Sequence, residues 1–346
     1  MLYKNLEIHN AAELYENEDG SVSWLRMPSS VAETLEMSAA TPMVRGSTGV
    51  ELRFVLRGDS VRIRMSTVQD DPNGFATFHV YRGGMQGGWE DHEIHCHVTG
   101  KPEDFVIRRS KNEENLKKMS EVCGLDWDPC VIRVIFDRGA YKLYGVEGDI
   151  EPPRPDQCPK CTLLAYGSSI THGSNAIDAS HSWVSVLAHN LNMDARNLGM
   201  AGSCALEPAV ADYLASEGEA GRWHAAVLEL GINVLDWEEE KIAQRIENLI
   251  RQVAGRNPDK PIWAISTFYY AAEDLRACPK GKKWRRIMEQ TLAKLSYPNV
   301  TYVDGTEILG HYRYLSADEV HPNIYGCQHI AQELTTRMRQ VIEGED

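Results

Sequence analysis

Between residues 50 and 147 apolar and polar residues alternate with a period of two, as in strands that bury one face. Leu52, Phe54 and Leu56 alternate with Glu51, Arg53 and Val55, and Val61, Ile63 and Met65 alternate with Arg62 and Arg64. Gly58-Asp59 lies between these runs and predicts a hairpin turn. Further strands are predicted over 75–82, 131–137 and 141–147. Short strands without long helical patterns point to an all-β sandwich over residues 1–150. Glu151-Pro152-Pro153-Arg154-Pro155-Asp156 ends that pattern, because successive prolines lack donors and force extended backbone. Residues 151–160 therefore read as a Pro-rich linker.

Over 161–346 the pattern becomes apolar strand, polar loop and amphipathic helix, repeated about five times. Strands are predicted over 162–166, 195–198, 225–230, 262–267 and 300–303, with helices over 181–192, 207–216, 238–255, 282–296 and 324–342. This is the signature of an α/β domain, a parallel sheet covered on both faces. Functional groups in such sheets gather at the carboxyl ends of the strands.

A length of 346 residues favours two domains over one core, and 42% hydrophobic with 25% charged residues excludes a disordered chain. The net charge of -14 argues against a nucleic-acid partner. Lys280-Gly281-Lys282-Lys283-Trp284-Arg285-Arg286 is the dense basic run, and it reads as a solvated helix start. Charge interrupts the N-terminal apolar residues too often for a signal-peptide core, and no apolar run reaches transmembrane length. The expectation is a cytoplasmic protein with no membrane partner, unless a leader was removed earlier.

Eight cysteines in so long a chain do not make a disulfide scaffold. Cys158-Pro159-Lys160-Cys161 is a single C-x-x-C without a second pair at zinc spacing. Asp91-His92-Glu93-Ile94-His95-Cys96-His97 is richer in ligands, and strand alternation would put His95 and His97 on one face. A surface strand explains that run equally well, and no metal site is assigned to either segment.

The densest chemistry lies in Thr162-Leu163-Leu164-Ala165-Tyr166-Gly167-Ser168-Ser169-Ile170-Thr171-His172-Gly173, where an apolar run ends in a glycine-flanked serine. A serine hydroxyl needs a histidine to take its proton and a carboxylate to orient that histidine. Ser316-Ala317-Asp318-Glu319-Val320-His321-Pro322-Asn323 offers such a pair. Asn197-Leu198-Gly199-Met200-Ala201-Gly202 and Glu229-Leu230-Gly231-Ile232-Asn233 are suited to holding an oxyanion. Asp178-Ala179-Ser180-His181 repeats the D-x-x-H spacing but reads as a helix cap.

Together these blocks resemble the SGNH hydrolase superfamily, the GDSL esterases, over roughly residues 161–340. The resemblance implies a flavodoxin-like three-layer α/β/α domain with five parallel strands, in which Ser169 is the nucleophile and His321 and Asp318 complete the triad. It makes Ser169, Gly202 and Asn233 the oxyanion donors, and it requires no cofactor. Ser168 stands where the family usually has Asp, and Val234 where Asp often follows the asparagine, which leaves open how the nucleophile turn is braced. A preceding jelly-roll-like sandwich resembles two-domain carbohydrate esterases. The resemblance thus implies a small-molecule acylated substrate, a saccharide carrying acetyl groups, with Trp237 as a candidate wall for a sugar ring. Alternatives are an esterase or thioesterase for lipid or other small acyl substrates, and a catalytically silent carbohydrate-binding protein. The sandwich could equally serve packing or a homo-oligomer.

Overall fold

The computed structural model describes residues 1–68, 76–89 and 92–342. Phe75, which opens a predicted strand, Asp91, which heads the histidine-rich run, and residues 343–346 lie outside the described residues. The chain divides into two compact units, one of Met1–Ser29, Val44–Lys160 and Asn192–Asp194, the other of Ser30–Met43, Cys161–Leu191 and Ala195–Asp346. Among the described residues no helix is long and apolar enough to cross a membrane.

The first unit is an antiparallel β-sandwich. One sheet orders its strands Leu2–Tyr3, Leu6–His9, Glu51–Leu56, Val131–Phe136, Thr77–Arg82 and Met85–Gln86, and the other runs Glu103–Arg108, Ser60–Thr67, Tyr141–Glu147, Val22–Leu25 and Glu13–Glu16. The core takes Leu52, Phe54 and Leu56 from the first sheet and Val61, Ile63 and Met65 from the second. The alternating residues therefore face each other as their period requires.

Two expectations are corrected here. Glu51–Leu56 and Ser60–Thr67 do not form a hairpin but belong to different sheets. Leu6–His9 and Val131–Phe136 occupy both edges of Glu51–Leu56, so no free edge remains for the following strand. The connection crosses between sheets, with Arg57 N and Gly58 N donating to Asp149 O at 2.8 and 3.1 Å and the Arg109 guanidinium donating to Leu56 O at 3.0 Å. The sandwich also carries a helix, Glu113–Cys123, ended by Gly124 in the left-handed conformation at φ 62°. It buries no apolar stripe, since Met119 and Val122 are exposed.

Several buried charges in this unit are paired. Arg53 donates to both Asp194 oxygens at 2.6 and 2.7 Å and to Glu51 at 2.8 Å, while Arg133 holds Glu51 at 2.6 Å. The Trp127 ring lies 4.8 Å from the Arg53 guanidinium and 4.2 Å from that of Arg133. Pairing and ring contact offset the desolvation that would otherwise forbid these ions.

The second unit is a three-layer α/β domain. Its five parallel strands run in the order Asp194–Gly199, Thr162–Gly167, Ala225–Glu229, Ile262–Ile265, Val300–Val303, the flavodoxin-like 2-1-3-4-5 arrangement. Ala225–Glu229 is buried at every position because helices cover both faces. Helix Glu239–Val253 buries Ile242, Ile246, Leu249, Ile250 and Val253, one stripe at helical spacing, and packs between Pro208–Glu219 and Lys280–Leu295. Trp183–Asn190 packs against Ile324–Ile342. Each predicted strand and helix of this half is present, with ends shifted by a few residues.

Candidate active site

The site is built wholly within the second unit, at the carboxyl ends of its strands. Strand Thr162–Gly167 ends in a turn that enters the four-residue helix Ser169–His172, which Gly173 closes with φ +84°. Ser168 caps that helix, its Oγ accepting from Ile170 N at 3.1 Å while donating to Glu229 Oε2 at 2.7 Å. Both capacities of the Ser168 hydroxyl are thus used inside the protein, and the residue is wholly buried. Ser169, one position on, is 8% exposed, and its hydroxyl is not held by Glu229.

Ser169 Oγ lies 2.6 Å from His321 Nε2. On the far side of the ring, His321 Nδ1 lies 2.8 Å from Asp318 Oδ2, so the Nδ1–H tautomer leaves Nε2 as the acceptor facing the serine. Asp318 Oδ1 accepts the backbone N–H groups of Val320 and His321 at 3.1 and 3.0 Å, and Asn175 Nδ2 donates to Oδ2 at 2.7 Å. Burial works against the Asp318 charge, but the His321 and Val320 amides and the His321 ring outweigh it and hold the carboxyl below its ordinary range. Its side chain is nevertheless 42% exposed, so water screens part of its attraction for an imidazolium.

The loop carrying this pair is fixed at several points. Asn323 Nδ2 donates to Arg313 O and Leu315 O at 2.9 Å, and Ser316 N donates to His321 O at 2.8 Å. Glu319 adopts φ +69°, a strained conformation for a side chain with a Cβ. It is held there by its carboxylate on Arg276 at 2.6 Å and its carbonyl on Ala271 N at 2.9 Å.

Two further strand ends supply donors. Met200 N donates to Gly167 O at 2.8 Å, and Asn197 Nδ2 donates to Thr171 O at 2.8 Å, which ties the Gly202 segment to the Ser169 turn. Gly199 can be nothing larger, since a Cβ there would lie 2.2 Å from His172 N. Gly202 itself has φ +65°, where glycine carries no steric cost. Asn233 Oδ1 accepts Cys204 N at 3.0 Å, which turns its Nδ2 away as a donor. Among the described residues Ser169 N, Gly202 N and Asn233 Nδ2 donate to no protein acceptor. Donors left uncommitted by the protein are what an oxyanion site requires.

Other residues singled out in the sequence fall elsewhere. Trp237 is half-buried, with the Lys241 ammonium 3.7 Å and the Arg245 guanidinium 5.6 Å from its ring centre. Asp178 accepts from His181 N at 3.1 Å and from Ser180 Oγ at 2.6 Å, capping the turn Ala179–His181. In the basic run Lys280 pairs with Asp236, Arg286 with Glu239 at 2.7 Å, and Arg285 with Glu273 at 2.9 Å. Cys158 and Cys161 are free thiols, and burial pushes Cys158 up to about 12, far from a reactive thiolate. His95 has φ +53° and precedes the short strand Cys96–His97, so the predicted alternation of His95 and His97 along one strand is not formed.

Two groups in the site were given no role by the sequence, Asn175 behind Asp318 and Glu229 behind Ser168, while Asn197, which heads the segment ending at Gly202, is bonded to Thr171 O. Glu229 had the one available signal, an acid at the end of the apolar run Ala225-Ala226-Val227-Leu228-Glu229, where an unpartnered carboxylate would not be tolerated.

A model of the GDSL-like lipase/acylhydrolase family matches residues 160–339. The chain belongs to that family. Among solved structures, the salicylyl-acyltransferase SsfX3 from a tetracycline biosynthetic pathway is 18% identical with a TM-score of 0.77, covering 99% of this chain and 96% of that one. A family two carbohydrate esterase from Cellvibrio japonicus is 12% identical with a TM-score of 0.67, covering 99% and 97%. An acetyl xylan esterase, Est2A, from Butyrivibrio proteoclasticus is 13% identical with a TM-score of 0.57, again covering 99% and 97%. These likenesses show a shared fold. No curated protein sequence matches the chain.

Proposed function

We propose that this member of the GDSL family is a serine esterase that removes short acyl groups, acetyl foremost, from carbohydrate. The observation that carries the reading is the continuous chain Ser169 Oγ to His321 Nε2 at 2.6 Å and His321 Nδ1 to Asp318 Oδ2 at 2.8 Å. His321 takes the Ser169 proton as Oγ attacks the ester carbonyl, and Asp318 stabilises the imidazolium that forms. Ser169 N, Gly202 N and Asn233 Nδ2 receive the oxyanion. Collapse breaks the ester bond, with His321 giving the proton to the departing sugar oxygen, which leaves as a hydroxyl. Water, activated by the same histidine, then releases acetate from the acyl-serine.

The acetyl-saccharide assignment is supported by the whole-length likeness in fold to carbohydrate esterases, one of them an acetyl xylan esterase. A second reading, transfer of the acyl group to an alcohol acceptor, is favoured by the fold likeness to the salicylyl-acyltransferase. Peracetylated xylose, with aryl acetate, butyrate and octanoate beside it, tests both. Release of acetate from the sugar and a falling kcat/KM with acyl length are expected. A preference for octanoate would reject the short-acyl reading, and acyl transfer outrunning hydrolysis when alcohol acceptors are added would favour the second.

A further inference from the structure

Glu229 is wholly buried at the end of strand Ala225–Glu229, the neighbour of the nucleophile strand, with Tyr166 paired to Leu228. One of its oxygens, Oε2, accepts three hydrogen bonds, and all come from the turn that holds Ser169. Ser168 N and Ser168 Oγ each donate at 2.7 Å, and Thr171 Oγ1 donates at 3.0 Å. The strand makes room for this carboxylate, since a Cβ on Gly167 would lie 2.6 Å from Glu229 Oε2. The other oxygen, Oε1, has no hydrogen-bond partner among the described residues. A buried acid with one oxygen unpartnered carries a desolvation cost that its three donors offset only in part.

We propose that Glu229 is a positioning residue of the hydrolytic reaction: by gripping Ser168 and Thr171 on either side of Ser169, it aims Ser169 Oγ at His321 and Ser169 N at the oxyanion. It takes over the bracing left open by serine at position 168. The inference rests on the esterase reading of Ser169.

The grip depends on charge. Burial pushes the Glu229 carboxyl up to about 7, against the pull of the Ser168 and Thr171 donors, so it is neutral in mild acid and ionised in mild base. The groups facing it are those two residues and the Cys204 thiol, with Tyr166 and Glu207 beyond it. Burial, the nearby Glu229 charge and further contacts hold Cys204 well above its ordinary range, so it stays neutral as Glu229 titrates. Three donors to one oxygen are stronger when that oxygen is charged. The Ser169 turn is therefore held more firmly above neutrality.

Glu229→Gln keeps the shape and an acceptor oxygen but cannot ionise. At pH 8 its kcat on an aryl acetate is expected to fall about tenfold with KM within about twofold, and Ser169 labelling by a fluorophosphonate to slow in parallel. The ratio of wild-type to variant kcat should shrink towards unity at about pH 5.5, where both side chains are neutral, and groups shared by the two proteins cancel in that ratio. A merely structural role would lower the melting temperature and leave this ratio flat. Thr171→Val, which removes one donor and leaves the carboxylate in place, covers the case in which Glu229→Gln does not fold, and a loss of about threefold is expected. Wild-type rates in both variants at every pH would overturn the role of Glu229 while leaving the esterase standing. A wild type that neither turns over nor labels would overturn both.

Discussion

His321→Ala is expected to leave a folded protein whose turnover of an aryl acetate is lower by roughly 10⁴ to 10⁶, because nucleophile and base act as a unit. Without the imidazole, Ser169 Oγ loses the acceptor 2.6 Å away and remains a protonated alcohol. The side chain is 24% exposed, and the loop keeps the bonds of Asn323 to Arg313 O and Leu315 O, so the variant is expected to fold. Single-turnover kinetics, with circular dichroism as the folding check, would measure the loss. A loss under about tenfold would mean that another base serves Ser169.

Asn233→Ala should lower kcat by about 10² to 10³ with little change in KM if, as proposed, its amide meets charge that exists only in the transition state. The substitution has a second effect, because Asn233 Oδ1 also accepts Cys204 N at 3.0 Å and helps to shape the loop after Gly202. Asn233→Asp separates the two. It keeps an acceptor for Cys204 and removes the donor, and it adds a negative charge beside the oxyanion, so it should be at least as impaired as alanine. An aspartate variant near wild-type activity would show that Asn233 serves only the loop.

The α/β half was legible because its signals are local and repeated: an apolar run, a loop, then a stripe such as Ile242, Ile246, Leu249 and Ile250. The hydrogen-bonded grouping of Ser169, His321 and Asp318 was legible for a related reason, since Asp318 and His321 share one short loop and Ser169 closely follows a strand. The sandwich was less so. The alternation of Glu51–Leu56 and Ser60–Thr67 revealed two strands but not their partners, and occupied edges, which sequence does not display, decided that they lie in different sheets. The N-terminal strands of two to four residues were too short to show a period, and helix Glu113–Cys123 lacked a buried stripe. Asn175 and Glu229 act across 143 and 61 residues of chain respectively, so no spacing could announce them.

Labelling by a fluorophosphonate, read by intact mass and peptide mapping in wild type and Ser169→Ala, tests the central claim most directly. One adduct on Ser169 is expected in the wild type, with loss of aryl acetate turnover in step with labelling, and no adduct on the folded alanine variant. An adduct or undiminished turnover in Ser169→Ala would contradict the account, and so would a folded wild type that never labels.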